Sequence, residues 1–162
     1  MRQDRLVTAR LLALLIPVAL LGGALGFQFI GHLVPCEMCV WQRWPHLGAI
    51  IVALLAFVVP TRPAKLLLVL IAAMLILLSG AIGVAHAGVE YHWWPGFTPC
   101  TSQLKTGLTA DELLAAIAKQ PVIRCDVAQW QIFGISLAGF NAIFSILGGL
   151  VVAGLALMGR RR

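Results

Sequence analysis

The stretch LLLVLIAAMLILLSGAIGVAHA, residues 66–87, contains no Asp, Glu, Lys or Arg in 22 positions. A bilayer core about 30 Å thick is crossed by ~20 predominantly apolar helical residues, so this run reads as a membrane span. Working outward, three more runs pass the same test: residues 11–30, about 39–59 and about 132–158. The chain of 162 residues agrees as a whole, being 60% hydrophobic and 11% charged with a mean hydropathy of +0.95. Soluble domains are about half apolar and about a quarter charged, which excludes a soluble globular protein. Four crossings use ~80–90 residues and leave room for one sizeable loop but no second folded domain. Residues 1–162 are therefore expected to form a single membrane domain.

The connections 31–38 and 60–65 are short, whereas 88–131 is long. Short connections force antiparallel neighbours, so the expected fold class is all-α: an integral membrane four-helix bundle running up-down-up-down, both termini on one side. Lys and Arg orient it. Arg2, Arg5 and Arg10 precede the first span, Arg62 and Lys65 lie in the second short connection, and Arg160, Arg161 and Arg162 end the chain, so eight of twelve basic residues mark one face. That face is expected to be cytoplasmic. Five of the six acidic residues, Glu37, Glu90, Asp111, Glu112 and Asp126, fall on the other side. The net charge of +6 thus belongs to membrane boundaries, and no nucleic-acid partner is expected.

Smaller signals fit the same map. Basic residues ahead of positions 11–16 look like the start of a secretory leader, but the run outlasts the usual apolar core without a small-x-small site, and is expected to remain as the first helix. Trp41, Trp44, Trp93, Trp94, Trp130 and Tyr91 sit near the outer ends of spans and are expected to form an interfacial belt. Gly22 with Gly26, Ser79 with Gly83 and Ala87, and Gly149 with Ala153 are spaced to let helices approach. Asn141 and Ser145 are expected to hydrogen-bond across to a neighbouring helix, and His32, His46 and His92 to be polar interface residues.

Function turns on four cysteines, Cys36, Cys39, Cys100 and Cys125, all on or near the outer face. In an oxidising compartment an even set is a candidate disulfide framework. Three pairings exist; the nearest-neighbour choice joins Cys36 to Cys39 and Cys100 to Cys125. The second bridge closes a loop of ~25 residues, worth about 3 kcal/mol in the chain-entropy model, and alone would read as a staple. A Cys-x-x-Cys bridge closes too short a loop to stabilise much, while the arrangement lowers thiol pKa values and suits exchange. Paired thiolates also bind zinc, but the second pair has the wrong spacing and the histidines show none, so no metal site is expected.

Arg43 adds to the case. A span starting at Pro45 would offer only ~15 residues, about 22 Å of helix, so residues 39–43 must lie at or inside the membrane boundary, where arginine is costly. Cys36, Cys39 and Arg43 are spaced i, i+3, i+7, one helical face. A cation and a helix N-terminus would both favour a Cys39 thiolate. Pro45 works against this geometry by biasing Trp44 away from helical dihedrals.

The segment Pro35-Cys36-Glu37-Met38-Cys39-Val40-Trp41-Gln42-Arg43, the later Cys100, and Cys125-Asp126-Val127-Ala128-Gln129-Trp130 followed by Phe133-Gly134-Ile135-Ser136 resemble the DsbB family over essentially the whole chain. The related vitamin K epoxide reductase type places its Cys-x-x-Cys after the loop cysteines, the reverse of the order here. The resemblance implies a multi-pass protein of the bacterial inner membrane whose active face is periplasmic. Its implied activity is that of a thiol:quinone oxidoreductase, which reoxidises a periplasmic DsbA-like thioredoxin-fold partner and passes the electrons to ubiquinone or menaquinone, in the chain that keeps the periplasm oxidising. Cys100 would then take the mixed disulfide, Cys125 would leave and exchange with Cys36, and Cys39 would stand beside the quinone. Arg43 matches the family's quinone-site arginine, and His86, 14 residues before Cys100, lies close to where the family carries a histidine near the quinone.

This order has an energetic condition. A DsbA-like partner lies near about −120 mV and structural disulfides below about −300 mV, a gap of roughly 8 kcal/mol, so a Cys100–Cys125 bridge must be labile or be drawn forward by quinone. Within the loop, Thr109-Ala110-Asp111-Glu112 is a capping-box pattern, Lys119 and Pro121 mark a stop, and a short helix over about 110–119 is expected. Its Leu113, Leu114 and Ile117 are expected to rest on the membrane surface as an interfacial helix.

Overall fold

The computed structural model describes residues 2–96, 98, 109–119 and 124–160. Four long helices, α1 (Arg2–Phe29), α2 (Glu37–Val58), α3 (Arg62–Glu90) and α5 (Leu137–Arg160), carry stretches long and apolar enough to cross a membrane. The short helix α4 (Ala110–Lys119) and a hairpin of β1 (Gln131–Ile132) and β2 (Ile135–Ser136) lie between α3 and α5. The protein is an all-α membrane bundle.

The four long helices form a ring in which α1 packs on α2, α2 on α3, α3 on α5 and α5 back on α1. Neighbours run antiparallel. The Arg10 guanidinium near the start of α1 lies 4.3 Å from the centroid of the Phe57 ring at the end of α2, while Arg43 near the start of α2 donates to Gln28 at the end of α1. The α3–α5 seam is made by small residues: a Cβ on Gly83 would meet the Ala142 nitrogen at 3.0 Å, and one on Gly149 would meet the Ala73 carbonyl at 3.2 Å. Without a hydrophobic drive between helices in lipid, such close approach supplies the dispersion contacts. Alanines 49, 53, 56, 72, 73 and 156 with Ile76 and Val152 fill the centre toward the end of the bundle away from the cysteines.

Several expectations need correction. Gly22 and Gly26 make no helix contact, since a Cβ on either meets nothing within 4 Å among the described residues. The last span starts at Leu137 rather than near Ile132, because residues 131–136 turn back as a hairpin whose Phe133 and Gly134 both take positive φ, the twist a two-residue turn requires. Tyr91 fixes that hairpin to the end of α3, donating to the Gly134 carbonyl at 3.1 Å and accepting from the Ser136 amide at 2.8 Å. Pro45 does not interrupt α2, which runs unbroken through it; three residues ahead of the proline, the Gln42 carbonyl accepts from the Ser79 hydroxyl at 2.8 Å, which ties α3 to this turn.

The loop helix forms where expected. Thr109 and Glu112 cap it reciprocally, the Thr109 amide donating to the Glu112 carboxylate at 2.9 Å and the Glu112 amide to the Thr109 hydroxyl at 3.4 Å. The Thr109 amide and hydroxyl, which both donate to it, hold the Glu112 carboxyl below the usual range. Leu114 is exposed on α4, and the side chains of Leu113 and Ile117 lie outside the described residues.

Candidate active site

The continuous α2 puts the Cys-x-x-Cys motif at its mouth. Cys36 is the N-cap, its sulfur accepting from the Cys39 amide at 3.2 Å, and both cysteines are free thiols with their sulfurs 2.7 Å apart. Cys36 is buried with Met38, Val89 and Cys125, and Cys39 packs against this cluster. The Cys36 thiol is held well above its usual range, first because it shares its proton with the Cys39 sulfur and second because it is buried.

Cys125 is disulfide-bonded, and Cys100 lies outside the described residues, so the expected Cys100–Cys125 pairing is not described from the Cys100 side. What the structure does bring together is Cys125 and Cys36, two cysteines from different pairs, in one buried cluster. Asp126, next in the chain, is paired with Arg124, which holds its carboxyl below the usual range.

His86 reaches this cluster from α3. Gln42 donates to the Met38 carbonyl at 3.1 Å and to His86 Nδ1 at 2.9 Å, so the His86 proton sits on Nε2, which lies 3.5 Å from the Cys36 sulfur and 3.6 Å from Glu90. Ligand atoms of Cys36, Cys39 and His86 fall within 4.8 Å of one another. The Nε2 proton thus has both the Cys36 sulfur and the Glu90 carboxylate within reach.

Beside the pair opens a cavity of about 340 Å³, bounded mainly by α1, α2 and α5. Cys39, Arg43 and His86 line it, as do apolar residues that include Leu20, Phe140, Phe144 and Trp130. Trp130 packs on Phe27 at 4.9 Å and Phe140 at 6.2 Å between ring centroids, whereas Trp44 and Trp93 are exposed. Gly23 and Ala24 leave the α1 wall low. Arg43 donates through Nη1 to Gln28, and its Nε is buried with no hydrogen-bond partner among the described residues.

Three polar residues of this site were not anticipated. Gln42, Glu90 and His46 are buried around the thiol pair, and His46 corrects its expected place at the interface. His46 Nε2 lies 2.9 Å from Asn141 and 2.9 Å from Ser79, so α2, α3 and α5 are tied together inside the bundle. The signal for His46 was in the sequence: it follows Cys39 by seven residues and Arg43 by three, on the same helical face.

Comparison with known proteins gives the family. The family model described as disulfide bond formation protein DsbB matches residues 6–155. Disulfide bond formation protein B of Verminephrobacter eiseniae is 31% identical over 86% of this chain and 80% of its own. Its namesake from Marinobacter nauticus is 28% identical over 93% of this chain and 90% of its own, and an uncharacterized protein of Rickettsia prowazekii is 28% identical over 90% and 84%. No solved structure matches. The family match takes in all four long helices and the thiol pair at the mouth of α2, and this chain belongs to the DsbB family of disulfide bond formation proteins.

Proposed function

We propose that this protein is a thiol:quinone oxidoreductase of the bacterial inner membrane, which reoxidises a periplasmic DsbA-like dithiol oxidase and delivers the electrons to ubiquinone or menaquinone. The observation that carries the reading is Cys39 on the wall of a largely apolar cavity, among helices long and apolar enough to cross a membrane, that Arg43 also lines. The residues fit a quinone ring: aromatic and aliphatic walls match its faces, and the buried Arg43 Nε is a donor in need of an acceptor such as a ring carbonyl. When bound, a quinone supplies a two-electron, two-proton acceptor.

In this reading, a partner thiolate attacks Cys100 and forms a mixed disulfide, and Cys125 departs as thiolate. Cys125 attacks Cys36 of an oxidised Cys36–Cys39 pair and releases Cys39. The second partner thiol then frees Cys100, and Cys100 displaces Cys36 from Cys125, so the partner leaves oxidised and Cys36 and Cys39 remain as a dithiol. Re-forming their bond gives up two electrons and two protons toward the cavity, with Arg43 orienting the acceptor and His86 exchanging the Cys36 proton. The shared burial of Cys36 and Cys125 supports the exchange between pairs. The charge distribution supports cytoplasmic termini and a periplasmic 88–131 loop.

The test is quinone reduction by the purified protein supplied with a reduced DsbA-like donor. Turnover is expected in the wild type and loss in both Cys39→Ser and Cys100→Ser. A folded wild type inert with several donors and quinones would overturn the reading.

A further inference from the structure

His46 lies on α2 one turn beyond Arg43, is 3% exposed, and lines the cavity. Its hydrogen bonding is fixed through a chain of amides. Gln42 donates to the Met38 carbonyl, so its Oε1 accepts, and Asn141 Nδ2 donates to that oxygen at 2.8 Å and to the Ser79 carbonyl at 3.2 Å. Asn141 Oδ1 is therefore an acceptor; it takes the Ser145 hydroxyl at 3.0 Å and faces His46 Nε2 at 2.9 Å. The neutral imidazole must carry its proton on Nε2. That leaves Nδ1 as a bare lone pair, buried and without a partner among the described residues.

An unmatched buried acceptor is destabilising until a donor arrives. Arg43 and His46 both line the cavity, and each keeps one buried atom without a partner among the described residues, a donor at Arg43 Nε and an acceptor at His46 Nδ1. Resting on the quinone reading above, this pair distinguishes the two redox forms of the ligand. An oxidised quinone ring carries carbonyl acceptors and no donor, so Arg43 is matched and His46 is not. The hydroquinone carries two hydroxyl donors. We propose that His46 Nδ1 is the hydroxyl acceptor of this cavity, taking a hydrogen bond that only the reduced ligand can give, so that the site binds hydroquinone in preference to quinone.

The chemistry balances: the thiols of Cys36 and Cys39 surrender two electrons and two protons as their disulfide forms, and the ring gains both protons as its two hydroxyls. Preference for the reduced form makes the bound quinone the stronger oxidant. A tenfold preference raises its two-electron potential by about 30 mV, which helps to pull electrons through the thiol pairs.

The experiment is equilibrium binding under anaerobic conditions, using full-length protein in detergent with its cysteine pairs oxidised, and with ubiquinone-1 and ubiquinol-1 as probes. The wild type is expected to bind ubiquinol-1 more tightly than ubiquinone-1 after correction for partition into empty micelles. His46→Phe, which keeps an aromatic ring and removes the acceptor, is expected to lower that affinity ratio about tenfold while ubiquinone-1 still binds. A wild-type ratio of one or below overturns the proposal without recourse to any variant, as does an unchanged ratio in folded His46→Phe. Failure of both probes to bind would take the quinone reading down with it, whereas binding with no redox preference refutes only the role of His46.

Discussion

Cys36 and Cys39 occupy the same helix terminus yet differ in chemistry. Cys36 is the N-cap, buried, and shares its proton with Cys39, which holds its thiol well above the usual range. The thiolate is the nucleophile, so alkylation of fully reduced protein should label Cys36 later than Cys39 at pH 8. Because the group's pKa is raised, Cys36 labelling should keep climbing beyond about pH 10, where an ordinary thiol of pKa about 8.5 has levelled off; mass spectrometry of pH-jump samples checks this, and a plateau near about pH 10 would refute it. The residues that could be read without a structure are those whose role follows from local spacing, the Cys-x-x-Cys motif and Arg43 seven residues after Cys36. Gln42 could not be read the same way: what makes it part of the site is its bond to His86, 44 residues away on another helix, and no local pattern carries that.

At the scale of elements, the spans were legible because the apolar requirement of a bilayer is so demanding, and α4 because its capping box is a local contract between Thr109 and Glu112. Small-residue spacing was a weaker guide. The same four-residue pattern marks a helix seam at Gly83 and open space at Gly22 and Gly26, since periodicity names a face and not what lies opposite. Gly83→Val should therefore crowd the Ala138 carbonyl and the Ala142 nitrogen and destabilise the α3–α5 seam by about 1–3 kcal/mol. Gly22→Ala should leave stability unchanged or slightly raised through helix propensity. Unfolding in mixed detergent micelles measures both, and equal behaviour of the two variants would show that the seam does not depend on close approach at Gly83.

For the whole molecule, the proposed reaction divides between two places. Thiol exchange with a partner belongs to the long loop that carries Cys100 and Cys125, whereas electron delivery belongs to the cavity inside the helix ring, and the buried cluster of Cys36 with Cys125 joins them. That division predicts that the two halves can be separated from the α1 side, which contributes no cysteine but lines the cavity with Ala24. Ala24→Trp places an indole where a ring would bind, so turnover into quinone should fall at least tenfold, one decade being ~1.4 kcal/mol of lost binding. Because Ala24 is remote in sequence from the loop cysteines, trapping of a mixed disulfide between Cys100 and a partner with a single active-site cysteine should proceed at the wild-type rate. If instead both trapping and turnover fail in a folded Ala24→Trp protein, the cavity and the loop act as one unit. The helix ring would then be a conformational partner in thiol exchange as well as the container for its final acceptor.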